Sequence, residues 1–181
     1  MTLKLRAASS LLFVAAVVFG LAATALRAEI DRFVGDYSGS AEVDLYDGTK
    51  AKRDMSVSIS ETKTGFIVRW SSITHRDGRA KEKSYRIGFV PTERGDVFAA
   101  AMKQNVFGHQ VPLDPMKGEP YVWARIKDDT LSVYSLFVNG DGSYELQQFD
   151  RTLAEGGLQL EFQRVSNGVA QRSISTFLKR D

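Results

Sequence analysis

Along most of this chain, apolar and polar residues alternate with a period of two, the spacing that places successive side chains on opposite faces of a β-strand. In DYSGSAEVDLY (36–46), Tyr37, Gly39, Ala41, Val43 and Leu45 share one face, and Asp47-Gly48 then turns the chain. Met55, Val57 and Ile59 alternate with Ser56 and Ser58, as in a strand with one wet face. After a turn at Lys63-Thr64-Gly65, Phe66, Val68 and Trp70 alternate with Ile67, Arg69 and Ser71; Tyr85, Ile87 and Phe89 line one side of the next strand. YVWARI (121–126) puts Tyr121, Trp123 and Arg125 on one face and Val122, Ala124 and Ile126 on the other. TLSVYSLFV, SYELQQFDR and LQLEFQRV follow. Asn139-Gly140-Asp141-Gly142, the strongest hairpin signal in the chain, and Glu155-Gly156-Gly157 separate them, and Asn167-Gly168 leads into a last strand.

Two stretches break the alternation. Residues 97–106 fit a short strand running into a loop, with a one-turn helix as runner-up, because Phe98, Ala101, Met102 and Val106 also match helical spacing. Residues 107–120 hold three of the four prolines and form the longest irregular segment. Hairpin-length links make successive strands antiparallel neighbours. The pattern predicts an all-β domain: an antiparallel up-and-down β-barrel of about 8–10 strands, which removes exposed edges, with a two-sheet sandwich as the alternative.

The N-terminus has a different character. Lys4 and Arg6 precede LLFVAAVVFGLAATA, an uncharged run of 15 residues. That length suits a signal peptide and falls short of the roughly 20 apolar residues a membrane-spanning helix needs. Ala23-Thr24-Ala25 is the small-x-small cleavage pattern, and Ala28 is a second possible end. The expectation is a signal peptide over 1–25, a single barrel domain over 26–181, no stable membrane span after cleavage, and a periplasmic or secreted protein. Cleavage also changes the charge. The whole chain has 24 Lys and Arg against 22 Asp and Glu, and removing Lys4 and Arg6 leaves equal numbers. A near-neutral domain offers no global electrostatic case for nucleic acid. There is no cysteine, which excludes a disulfide framework and lipid attachment through a thioether.

The opening FVGDYSGSA resembles the start of lipocalin-like (calycin-type) barrels, which begin with Gly-x-Trp at the entry to the first strand. Gly35-Asp36-Tyr37 fills that pattern with Tyr in place of Trp. The resemblance implies an aromatic plug at the barrel floor, a late basic residue packed on it (Arg172 or Arg180), an apolar interior, and often a small hydrophobic ligand. The chain also resembles haem-binding barrels of the nitrobindin type, which open with Gly-x-aromatic-x-Gly. Those hold iron with a late histidine, whereas the two histidines here are His75 and His109, so no haem or other cofactor is expected.

Signatures of chemistry are sparse. The serines lack a Gly-x-Ser-x-Gly elbow, the carboxylates are scattered, and two isolated histidines have no metal-ligand spacing. Asn139, Asp141, Ser143 and Glu145 imitate a calcium loop but read better as a hairpin turn. Arg76, Arg79, Lys81, Lys83 and Arg86 cluster with Asp77 and Glu82, as at a solvated hairpin tip. His75 sits in that charged turn, and His109, in the proline-rich loop, is placed to overhang a cavity mouth. Trp70, Tyr85, Trp123 and Tyr134 are candidates for a cavity wall, with Arg125 as polar anchor and the 103–120 loop framing the mouth. No catalytic constellation is visible. The expected function is binding of a small hydrophobic or amphipathic ligand. The alternative is an envelope protein-interaction module, an inhibitor or assembly factor, with a solid core and no ligand.

Overall fold

The computed structural model describes residues 29–45, 47–100, 113–181 and the backbone of 103–104 and 110–111. The expected signal peptide, its second possible end at Ala28, and His109 lie outside the described residues. In chain order the strands are β1 (Gly35–Asp44), β2 (Lys50–Glu61), β3 (Phe66–Arg76), β4 (Arg79–Pro91), β5 (Val97–Ala100), β6 (Lys103–Gln104), β7 (Gln110–Val111), β8 (Tyr121–Lys127), β9 (Thr130–Val138), β10 (Tyr144–Ala154), β11 (Gly157–Ser166) and β12 (Val169–Arg180). Ten of them close into an antiparallel up-and-down barrel; β6 and β7 pair only with each other. Closure comes where β1 meets β12 through Tyr37↔Arg180 and Ser38↔Lys179. The ambiguous stretch after Asp96 begins as a strand, β5, whose Phe98 points into the core.

Turn chemistry sets the register. Asp77-Gly78 and Asn167-Gly168 have positive φ at both residues (50° and 70°, 48° and 78°), the backbone of a tight hairpin that glycine tolerates at its second position. The Asn139-Gly140 pair does not form such a turn. The Asp141 carboxylate instead accepts from the Ser143 amide at 2.9 Å and its hydroxyl at 2.6 Å. That bond shapes a longer loop, which closes with the Asn139 amide donating to the Ser143 carbonyl at 2.8 Å.

The lower half of the barrel is packed solid. Phe66 stacks on Phe89 at 5.1 Å and meets Phe98 edge-on at 5.0 Å. Leu131, Leu158 and Leu178 fill the rest of this layer, all fully buried. The segment before β1 seals the floor: residues 29–31 are helical, and Ile30 and Phe33 are buried against the core. Arg32 pins this segment to the β8–β9 turn, donating to the Asp129 carboxylate at 2.8 Å and the Asp128 carbonyl at 2.6 Å. Tyr37, also fully buried, donates its hydroxyl to the Phe33 carbonyl at 2.9 Å.

The Arg180 guanidinium lies over the Tyr37 ring, 5.7 Å from its centroid, and donates to the Val34 carbonyl. Gly35 makes this approach possible: its φ is 154°, and a Cβ there would come within 3.1 Å of the Arg180 guanidinium. Of the two late arginines, Arg180 therefore takes the floor position, while Arg172 sits at the opposite end of β12. This floor and the closed ten-stranded barrel are compatible with a calycin-like fold.

Candidate ligand cavity

Above the phenylalanine layer the interior opens into a cavity of about 830 Å³. Ten strands give a wider lumen than eight, and the volume lies within the usual range of small-molecule sites. The inner face changes character from floor to mouth. On β4 it runs Phe89, Ile87, Tyr85, then Lys83, Lys81 and Arg79. On β2 it runs Ile59, Val57, Met55, then Arg53. On β11, Leu158, Leu160 and Phe162 lead to Arg164, and on β12 Leu178 and Ile174 lead to Arg172. Among the described residues, eight basic side chains line the cavity against a single carboxylate, Asp77. An almost neutral domain thus concentrates positive charge around one opening.

Between floor and mouth, aromatic rings meet across the lumen. Trp70 on β3 stacks on Tyr85 at 5.1 Å and touches Phe149 on β10 at 5.5 Å; Phe149 in turn packs on Phe162 at 4.7 Å. Arg151 sits at the base of this group, lining the cavity yet only 1% exposed. Its guanidinium carbon is 5.7 Å from the Trp70 centroid and 5.6 Å from that of Phe149. Its Nε and Nη1 are buried and have no hydrogen-bond acceptor among the described residues. Burial pulls its pKa down to about 10, against the opposing pull of Asp150. Asp150 cannot serve as its partner: it is on the other face of β10, where it accepts from Ser132 at 2.5 Å and Gln148 at 2.7 Å. Two cation–π contacts contribute about 0.5–2 kcal/mol each. An ion taken out of water costs several kcal/mol, so the rings alone leave Arg151 undercompensated.

At the mouth, Arg53 donates its Nε to Thr74 Oγ1 at 2.9 Å. Its pKa is lowered by burial and, second, by the like charge of Arg172, which donates to the Asp44 carbonyl at 3.0 Å. Arg164 Nε lies 2.8 Å from a Glu145 carboxylate oxygen, and Arg76 pairs with Asp47 at 2.5 Å. Among the described residues, no carboxylate lies within ion-pair distance of Arg53, Arg79, Lys81 or Lys83.

Of the residues singled out in the sequence, Trp70 and Tyr85 line the cavity. Trp123, Arg125 and Tyr134 do not: they lie on the outer face of the barrel, a correction to the expected wall and anchor. Trp123 pairs across strands with Tyr134 and stacks on it at 4.9 Å, while Val122, Ala124 and Ile126 face inward. The reason is volume. At this level the interior already holds Phe98, Leu131 and Val133, and only small or branched side chains fit beside them. Arg125 instead pairs with Asp96 at 2.6 Å on the surface, which holds the Asp96 carboxyl below its usual range and raises Arg125. His109 lies outside the described residues.

His75 is half-exposed and bonded to Asp54 at 2.7 Å. Among the described residues, no group of three or more His, Cys, Asp or Glu could hold a metal ion. Arg53, Arg151 and Arg164 were not singled out, although a sequence signal exists. Each shares its strand's apolar face at period two: Arg53 with Met55 and Val57, Arg151 with Phe149 and Leu153, Arg164 with Phe162.

No protein-family model matches this chain, and no curated protein matches it.

Proposed function

We propose that this chain is an exported, lipocalin-like carrier of a small amphipathic ligand whose anionic group is received by Arg151. The observation that carries the reading is a buried guanidinium with unbonded Nε and Nη1 at the base of an apolar, aromatic-walled cavity. A carboxylate or similar anion reaching the guanidinium beside Trp70 and Phe149 would supply charge-assisted hydrogen bonds in a dry site, where such bonds are strongest. The apolar body would lie against Met55, Phe162 and Ile174, with affinity coming from the surface it removes from water. Export rests on the Lys4/Arg6 region, the uncharged run and the Ala23-Thr24-Ala25 pattern, and it places the carrier in the periplasm or outside the cell. A solid-core interaction module is less well supported, because the interior is filled only in its lower half.

The two tryptophans make the test direct. Trp70 is in the cavity and Trp123 is outside, so Trp123→Phe leaves an emission that reports on the cavity. Titrating this variant with long-chain fatty acids should shift or quench the emission and raise Tm. At about a hundredfold excess over Kd the stabilisation should be about 2.7 kcal/mol. Arg151→Gln should weaken binding of the acids and leave binding of the uncharged alcohols unchanged. No emission change with any amphiphile, together with a ligand-free native mass spectrum of protein from its own host, overturns the carrier.

A further inference from the structure

Arg151 accounts for one anionic group, but the cavity holds cations at two levels. In the register of β10, β11 and β12, Arg151 is level with Leu160, and Arg172 is level with Arg164. Leu160 and Arg164 are four residues apart on one face of β11, which is about 13 Å of strand. On these three strands Phe149, Phe162 and Ile174 lie between the two levels and form an apolar belt. The upper level is crowded with like charge. Arg53 is close enough to Arg172 to feel its field, and Arg79, Lys81 and Lys83 face the same opening from β4. Arg53 and these three residues have no carboxylate within ion-pair distance among the described residues. A ligand with a single anion, seated on Arg151, would leave Arg53, Arg79, Lys81 and Lys83 without a carboxylate counterpart among the described residues.

We infer that the cavity takes an elongated dianion: an apolar body with one anionic group on the deeply buried Arg151 and a second held at the mouth by Arg53 and the inner-facing Lys81 and Lys83. This rests on the carrier reading above and specifies its ligand class. The mouth group remains partly hydrated and is held by several flexible donors. The deep group is desolvated and held by one rigid, planar donor. The deep site therefore sets whether an anion binds at all, and the mouth discriminates dianion from monoanion.

The experiment uses the Trp123→Phe protein purified from its own host and stripped of bound lipid, titrated with dodecanedioate, its monomethyl ester and dodecanoate. Salt is kept near 0.15 M so that attraction from beyond about 8 Å is screened. Dodecanedioate should bind about tenfold or more tighter than either monoanion. The triple variant Arg53→Gln, Lys81→Gln, Lys83→Gln should lose that advantage while keeping the monoanion affinity. These side chains reach the mouth rather than the packed floor, and an unchanged Tm confirms that the variant is folded. If dodecanoate and dodecanedioate bind equally, or the triple variant weakens both alike, the dianion assignment fails and the carrier reading stands. If no acid binds, both fail.

Discussion

Arg151 sets stability against function at a single position. Its pKa is lowered to about 10 by burial, so the folded state disfavours its charged form relative to the unfolded chain. For a base shifted downward, that penalty is fully present below about pH 10 and is relieved only as the pH rises through the folded value toward the unfolded one. At neutral pH the unliganded barrel carries the whole cost. Arg151→Met removes the guanidinium and leaves a soft apolar group beside Trp70 and Phe149. The expected result is a more stable apo protein, by about 1–3 kcal/mol in urea unfolding, that no longer gains stability from an anionic amphiphile. A variant less stable than wild type would mean that the guanidinium has an internal partner after all.

At the scale of elements, the segment before β1 is the lid of the floor, and Phe33 is its anchor. Phe33 is completely buried and its carbonyl holds the Tyr37 hydroxyl. Phe33→Ala should cost about 3–5 kcal/mol and free the Tyr37 end of the barrel. Binding at the cavity should change little, since the phenylalanine layer separates the two. Equal losses of stability and of affinity would show that the layer does not insulate them. The strands themselves are legible as period-two runs because alternation is a local property, and the Asx-Gly pairs mark most of their ends. Alternation says which residues share a face, however, not which face is inside. On β8 the large aromatics drew attention to the Tyr121, Trp123 and Arg125 face. The closed barrel reverses that choice because Phe98, Leu131 and Val133 already occupy the interior at that level. Arg151 was hidden for the complementary reason. Its alternation with Phe149 and Leu153 puts it on an apolar face, but how deep along that face a cation is buried is decided only when the barrel closes around it.

For the molecule as a whole, equal numbers of acids and bases in residues 26–181 conceal a separation of charge. Among the described residues, eight bases line the cavity, while acids that stabilise the fold lie outside it. Asp47 is held below its usual pKa by hydrogen bonds from Thr49, Asp54 by His75 and then Lys52, Asp96 by Arg125 and Asp141 by Ser143. For an acid whose folded pKa is depressed, the stabilisation is fully present above the unfolded value, near 3.8, and is lost as pH falls through the folded value. Protonating Asp47 also removes the partner of Arg76 and so adds to the repulsion among the mouth cations. Thermal unfolding followed by circular dichroism should therefore give a Tm that changes little from about pH 5 to pH 8 and falls steeply below about pH 4. Adding salt at the acid end should recover part of the loss by screening the mouth. A Tm unchanged down to pH 3 would mean that these exposed carboxylates contribute nothing to folding.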